Sequence, residues 1–216
     1  MRTTKIKVCG ITRVEDARLA VDLGADFLGF NFYPESPRYL SPARALEIAR
    51  AVRGETRLVG VFVNSRPAEV SEVAGRVSLD LVQLHGDEGP ADLESLGVSA
   101  IRAFRLHAEA RPPRLEPWAA AWGFLFEARR KGFYGGGGRA WAYERIAGLE
   151  TDKPVFVAGG VRPETARRAV ELSGASGVDV CSGVEAAPGI KDPDLLVAFF
   201  RQLESGNDGA VIHNPR

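Results

Sequence analysis

Short apolar runs alternate along the chain with longer stretches in which apolar residues recur every three or four positions. The short runs predict strands at residues 5–9, 26–30, 58–63, 81–84, 100–104, 123–127, 154–158 and 178–181. The longer stretches at 14–23, 42–52, 67–77, 163–172 and 193–203 carry a helical period. Several of them open on Pro, which suits the first turn of a helix. Thr12, three residues before Glu15, has capping-box spacing and is the expected N-cap of the first helix. The segments between the fourth, fifth and sixth strands are weaker: 90–96 is short, and Pro112, Pro113 and Pro117 delay any helix in 111–122.

Eight strands with helices between them predict parallel βαβ units and a single (β/α)8 barrel of the TIM type spanning 1–204. An open doubly wound sheet is the structural alternative. Its usual glycine-rich turn after the first strand is absent from Cys9-Gly10-Ile11-Thr12. The polar, aperiodic tail 205–216 is expected to fray. The four-glycine run 135–138 falls within one strand-to-helix connection, so it reads as a loop over a site rather than a domain boundary.

Composition narrows the function. The 216 residues carry 28 basic and 28 acidic side chains, so no global field recruits nucleic acid or an anionic membrane. An anionic substrate must be held by local groups. No apolar run reaches the roughly 20 residues that cross a bilayer, and no secretory signal precedes the first strand. Cys9 and Cys181 are the two cysteines, and the three histidines are scattered, which gives no metal-ligand spacing. The chain is expected in the cytoplasm with both thiols reduced. Barrel stagger is expected to hold the two thiols in different layers.

In such a barrel the chemistry collects where strands end. Strand one ends in Cys9, strand four leads to His85, and strand six ends in Glu127. Strand seven leads to Gly159-Gly160 and strand eight to Ser182-Gly183. Glycine turns after strands seven and eight are a common place to bind phosphate, helped by any helix N-terminus that follows. Taken singly, each feature also has a plain reading. Cys9 serves equally as a small core residue, Arg38 as a solvated loop charge, and Glu127 as a barrel-mouth or a surface carboxylate. Lys7 and Cys9 share one face of their strand, as do Asp179 and Cys181 on the neighbouring last strand. Lys7 can therefore pair with Asp179, activate Cys9, or do both.

The motifs together resemble the phosphoribosylanthranilate isomerase family. They are Lys7-Val8-Cys9-Gly10-Ile11-Thr12, Gly29-Phe30-Asn31-Phe32-Tyr33-Pro34-Glu35-Ser36-Pro37-Arg38-Tyr39, Gly60-Val61-Phe62-Val63-Asn64, and Gln83-Leu84-His85-Gly86-Asp87-Glu88. Ala158-Gly159-Gly160 with Pro163-Glu164, and Val178-Asp179-Val180-Cys181-Ser182-Gly183-Val184-Glu185 with Pro188-Gly189, continue the match in order. The resemblance implies an Amadori rearrangement in tryptophan biosynthesis on a TIM barrel. N-(5-phosphoribosyl)anthranilate would become the 1-deoxyribulose product through one acid and one base. It implies Cys9 as the base and Arg38 on the anthranilate carboxylate. Gly159, Gly160, Ser182 and Gly183 would lie on the phosphate, with His85 and Asp179 lining the site. It implies no metal, no cofactor, and a monomer or homodimer acting on a phosphorylated small molecule.

One position departs from the family. The family's acid is an aspartate ending strand six, and the candidate here is Glu127, one methylene longer. Residues 105–123 resemble the family least. The departure at Glu127 motivates a competing reading, a non-catalytic or repurposed sugar-phosphate-binding barrel.

Overall fold

A computed structural model describes residues 4–107, 111–128 and 141–204. Eight parallel strands close into a barrel in sequence order: β1 (Lys5–Cys9), β2 (Phe27–Asn31), β3 (Arg57–Phe62), β4 (Leu81–Leu84), β5 (Ala100–Leu106), β6 (Gly123–Ala128), β7 (Val155–Val157) and β8 (Gly177–Val180). The closing pair is β1 with β8, in a register that sets Lys7 beside Asp179 and Val8 beside Val180. All eight predicted strands are present, with ends moved by a residue or two.

Helices α1 (Val14–Asp22), α2 (Pro42–Ala51), α3 (Pro67–Val77) and α4 (Pro90–Glu94) follow the first four strands. Helices α5 (Ala166–Ser173) and α6 (Pro193–Glu204) follow the last two. Among the described residues, β5 and β6 are followed by single 3-10 turns at Glu116–Trp118 and Tyr143–Ile146. The prolines at 112, 113 and 117 account for the first of these. Pro42 stands at the start of α2, and Ser41 caps it by accepting a hydrogen bond from the Arg44 amide at 3.3 Å.

Alternation along each strand builds two layers. Outward residues such as Val8, Leu28, Phe30, Leu84, Phe104, Phe126 and Val180 pack under the helices. Inward residues Phe27, Val59, Leu81, Ile101, Ala103, Leu125 and Phe156 fill the lower barrel. Phe27 meets Phe156 edge-on at 5.4 Å and Trp122 at 5.8 Å, which closes the floor. Each such side chain contributes about 1.5–3 kcal/mol on burial. The apolar floor leaves the upper inward positions to polar groups: Lys7, Gln83 and Asp179, then Cys9, His85 and Glu127.

Two local expectations are corrected. Thr12 does not cap α1. The cap position falls on Arg13, and the Thr12 hydroxyl instead donates to the Gly189 carbonyl oxygen, tethering a loop from the far end of the chain. No long helix begins at Gly183. A 3-10 turn (Ser182–Val184) leads into the antiparallel hairpin β9 (Glu185–Ala187) and β10 (Ile190–Lys191), and α6 starts only at Pro193. Lys191 of this hairpin donates to the Cys9 and Cys181 carbonyl oxygens, bridging β1 and the end of β8. The predicted glycine loop 135–138 and the tail 205–216 lie outside the described residues. Within the described residues, no helix is long and apolar enough to cross a membrane.

Candidate active site

Cys9 ends β1, buried at the barrel mouth, with Lys7 one layer below. Lys7 is fully buried, and its Nζ donates to Asp179 Oδ1 at 2.8 Å. Burial opposes the Lys7 charge, but Asp179 and the Cys9 sulfur outweigh it and hold the ammonium in its charged form. Burial also pushes the Asp179 carboxyl up, to about 7, against the pull of Lys7. Both readings of Lys7 therefore hold: it pairs with Asp179 and it acts on Cys9.

The Cys9 thiol lies well below the usual thiol range. The neighbouring Cys181 side chain is the largest cause. The charges of Lys7 and Lys191 add to it, and burial works against them. Cys181 is pushed the other way, first by Cys9 and then by burial, so it keeps its proton, which it donates to Glu185 Oε1 at 3.8 Å. The β1–β8 register pairs Val8 with Val180, which brings the next residue of each strand together. Both cysteines are free, as predicted.

Across the mouth, Glu127 is buried at the end of β6 and accepts a hydrogen bond from His85 Nε2 at 2.8 Å. The surface alternative for Glu127 is excluded. On the other side of the ring, His85 Nδ1 lies 2.7 Å from the Gln83 amide. That amide serves either protonation state, donating through Nε2 to a neutral ring or accepting through Oε1 from an imidazolium. Burial disfavours the imidazolium, but the Glu127 charge and hydrogen bond turn the balance, and the His85 pKa is raised.

The loop carrying His85 onward is fixed from below. The Glu88 carboxylate accepts from the Gly86 amide at 2.8 Å and the Asn64 amide at 2.7 Å. Arg102 on β5 donates to the same carboxylate at 2.7 Å while lying 4.7 Å over the Trp118 ring.

Arg38, after β2, reaches the mouth from the side. Its Nε and Nη2 grip Glu185 in β9 at 2.9 and 2.6 Å. Glu185 also accepts from Lys191 Nζ at 2.9 Å. Lys191 is fully buried on its side chain and donates to the Cys9 carbonyl oxygen at 2.6 Å and the Cys181 carbonyl oxygen at 3.2 Å. The hairpin therefore connects the Arg38 side chain to the backbone that carries Cys9.

The two glycine turns lie against each other. Gly159 and Gly160 have φ of 80° and 70°, where a side chain is strained. A Cβ on Gly183 would overlap the Val161 carbonyl oxygen, so only glycine lets the β8 turn approach the β7 turn. Ser182 opens the 3-10 turn beside them.

The family model described as N-(5'phosphoribosyl)anthranilate (PRA) isomerase matches residues 6–202. The chain belongs to the phosphoribosylanthranilate isomerase family. A relative of that name from Rubrobacter xylanophilus is 42% identical over 204 residues, which is 93% of this chain and 99% of the relative. The crystal structure of phosphoribosyl anthranilate isomerase from Thermus thermophilus matches with a TM-score of 0.82 at 36% identity. That match covers 94% of this chain and 99% of the other. A further phosphoribosyl anthranilate isomerase, in complex with reduced 1-(o-carboxyphenylamino)-1-deoxyribulose 5-phosphate, matches at a TM-score of 0.75 and 31% identity. It covers 93% of this chain and 98% of that chain.

In this member of the phosphoribosylanthranilate isomerase family, the predicted site residues gather at one end of the barrel. Four more side chains belong with them. Gln83 holds His85, Glu185 holds Arg38, Lys191 ties the hairpin to β1 and β8, and Tyr143 donates to the Gly159 carbonyl oxygen at 2.9 Å. Glu185 stands in a motif already recognisable in the sequence. Lys191 carries no such mark, because a lysine in a loop reads as a solvated charge until the hairpin buries it.

Proposed function

We propose that Cys9 is the general base and Glu127 the general acid of the isomerisation of N-(5-phosphoribosyl)anthranilate to 1-(2-carboxyphenylamino)-1-deoxyribulose 5-phosphate, an Amadori rearrangement of tryptophan biosynthesis. The carrying observation is that a thiol beside the Lys7 ammonium and a carboxylate bound to His85 occupy the same barrel mouth, on strands β1 and β6.

The reaction needs a proton delivered to the furanose ring oxygen. The His85–Glu127 pair holds that proton as a unit. Its transfer breaks the bond between C1′ and the ring oxygen, and the anilino nitrogen lone pair closes a Schiff base. The Cys9 thiolate then takes the C2′ proton. The electron pair of that C–H bond moves into C1′–C2′ and returns the iminium electrons to nitrogen, giving an enolamine. Gain of a proton at C1′ and loss of the C2′ hydroxyl proton yield the ketone. Lys7 keeps the base ionised, and Asp179 keeps Lys7 in place.

Arg38 offers its remaining guanidinium edge to the anthranilate carboxylate, because Glu185 is anchored by Lys191 and does not leave. The phosphate sits on the amides of Gly159-Gly160 and Ser182-Gly183. That assignment draws support from the phosphorylated product analogue bound to a relative of the same fold. The two reduced thiols suit a cytoplasmic enzyme.

The longer Glu127 side chain is accommodated by His85, which meets its carboxylate inside the barrel. This favours a working acid over the non-catalytic barrel. The test is the loss of anthranilate fluorescence when the protein meets freshly generated phosphoribosylanthranilate, run alongside Glu127→Gln and Cys9→Ala. Each substitution is expected to lower kcat by about 10²–10⁴-fold with the fold preserved. Wild-type turnover retained by Glu127→Gln would move the acid elsewhere, and absence of turnover in the wild type would sink the reading.

A further inference from the structure

We infer that Trp141 and Tyr143 are positioning residues for the substrate phosphate, acting from behind by pinning the carbonyl oxygens of the glycine turn after β7. The inference rests on the phosphate reading given above for Gly159 and Gly160.

Three successive carbonyl oxygens of that turn each accept from a side chain. Trp141 Nε1 donates to Ala158 at 2.8 Å, the Tyr143 hydroxyl to Gly159 at 2.9 Å, and the Thr165 hydroxyl to Gly160 at 3.2 Å. A peptide unit is planar and trans, so its carbonyl and the following N–H point in opposite directions. Fixing the Ala158, Gly159 and Gly160 carbonyls therefore fixes the Gly159, Gly160 and Val161 N–H groups. All three are turned away from the pinning side chains. None of the three amides has an acceptor among the described residues. They are the donors an anion needs, and the abutting Ser182-Gly183 turn completes the rim.

Two glycines in the left-handed region are conformationally loose, since glycine reaches either sign of φ at little cost. A loose turn would spend part of the phosphate binding energy on ordering itself. The pinning removes that freedom before substrate arrives. Trp141 and Tyr143 support each other, with ring centroids 5.5 Å apart and edge-to-face. Tyr143 is buried at its ring, and burial pushes its phenol up to about 12, so it donates throughout the working pH range. Both side chains lie on the connection between β6, which carries Glu127, and β7, which leads into the turn.

The experiment compares wild type, Tyr143→Phe, Trp141→Phe and Ser182→Asp. Phe keeps the packing and removes only the donor. Ser182→Asp sets a carboxylate against the phosphate and tests the underlying site independently. The readouts are kcat, KM, and inhibition by two probes, inorganic phosphate and anthranilate. Tyr143→Phe and Trp141→Phe are each expected to raise KM and the inhibition constant for phosphate about five- to tenfold. Their kcat should stay within about twofold and anthranilate inhibition should not move, which separates pinning from a general loss of structure. Phosphate inhibition lost in Ser182→Asp but unchanged in both Phe variants overturns the pinning and leaves the phosphate site standing. Unchanged phosphate inhibition in Ser182→Asp overturns the site and the inference together. A Phe variant that weakens both probes equally assigns the residue to stability alone and also overturns it.

Discussion

Arg38 and Glu185, separated by 147 positions in the chain, form a two-pronged ion pair at the barrel mouth. In the proposed site Arg38 serves two carboxylates, that of Glu185 and that of the substrate. A lysine retains the charge but not the fork of donors. Arg38→Lys is therefore expected to raise KM about 10–100-fold while kcat falls much less. Steady-state kinetics checks this, and an unchanged KM would remove Arg38 from the substrate.

The Cys181 thiol is the first cause of the low Cys9 pKa. Cys181→Ala removes that neighbour and leaves Lys7 and Lys191 in place. The pH at which Cys9 becomes reactive towards iodoacetamide should move upward in this variant, and the acidic limb of the rate profile should move with it. Superimposable alkylation profiles would show that the ammonium groups alone set the thiolate.

Lys7 and Asp179 stabilise the barrel only as a pair. Lys7→Met leaves a buried carboxylate without its cation and is expected to cost about 3–5 kcal/mol in chemical denaturation. Lys7→Met combined with Asp179→Leu removes both charges and should recover most of the loss. Activity should not recover with stability, because Cys9 still lacks its neighbouring charge. A double variant with near-normal turnover would contradict the role given to Lys7.

The raised His85 pKa ties stability to pH. The folded state holds the imidazole proton more tightly than the unfolded chain does, so the pair with Glu127 is worth most below the unfolded value of about 6.5. That contribution fades as pH rises through the folded value. Wild type should therefore exceed His85→Gln in stability by the largest margin at pH 5–6, with the curves converging towards alkaline pH. Parallel curves would mean that His85 stays neutral in the fold.

The barrel and most of its polar interior were legible in the chain because period two sorts each strand into two faces. Lys7, Cys9, Asp179 and Cys181 could be placed on one seam by counting alone. Glu127 could be placed on a strand end but not inside it, since the cations at 129–131 argued equally for a surface. Its contact with His85 decides the matter, and a contact between β4 and β6 leaves no local trace. Thr12 shows the converse failure. Its spacing to Glu15 is that of a cap, yet a loop 177 positions away takes the hydroxyl. Trp141 and Tyr143 sit in an aperiodic stretch, where an aromatic side chain gives no clue to the carbonyl it will meet.

Lys191 fastens to the Cys9 carbonyl across 182 positions of chain. Cys9 ends the first strand of the barrel, and two of the groups that lower its pKa, Cys181 and Lys191, follow the last. A chain translated only as far as β7 has the thiol and Lys7, but neither Cys181 nor Lys191 to act on the thiol, nor Asp179 to hold Lys7. The full set of groups around the thiol is thus assembled only once β8 and the β9–β10 hairpin have been made. A chain released before that point carries a thiol with a weaker drive to ionise.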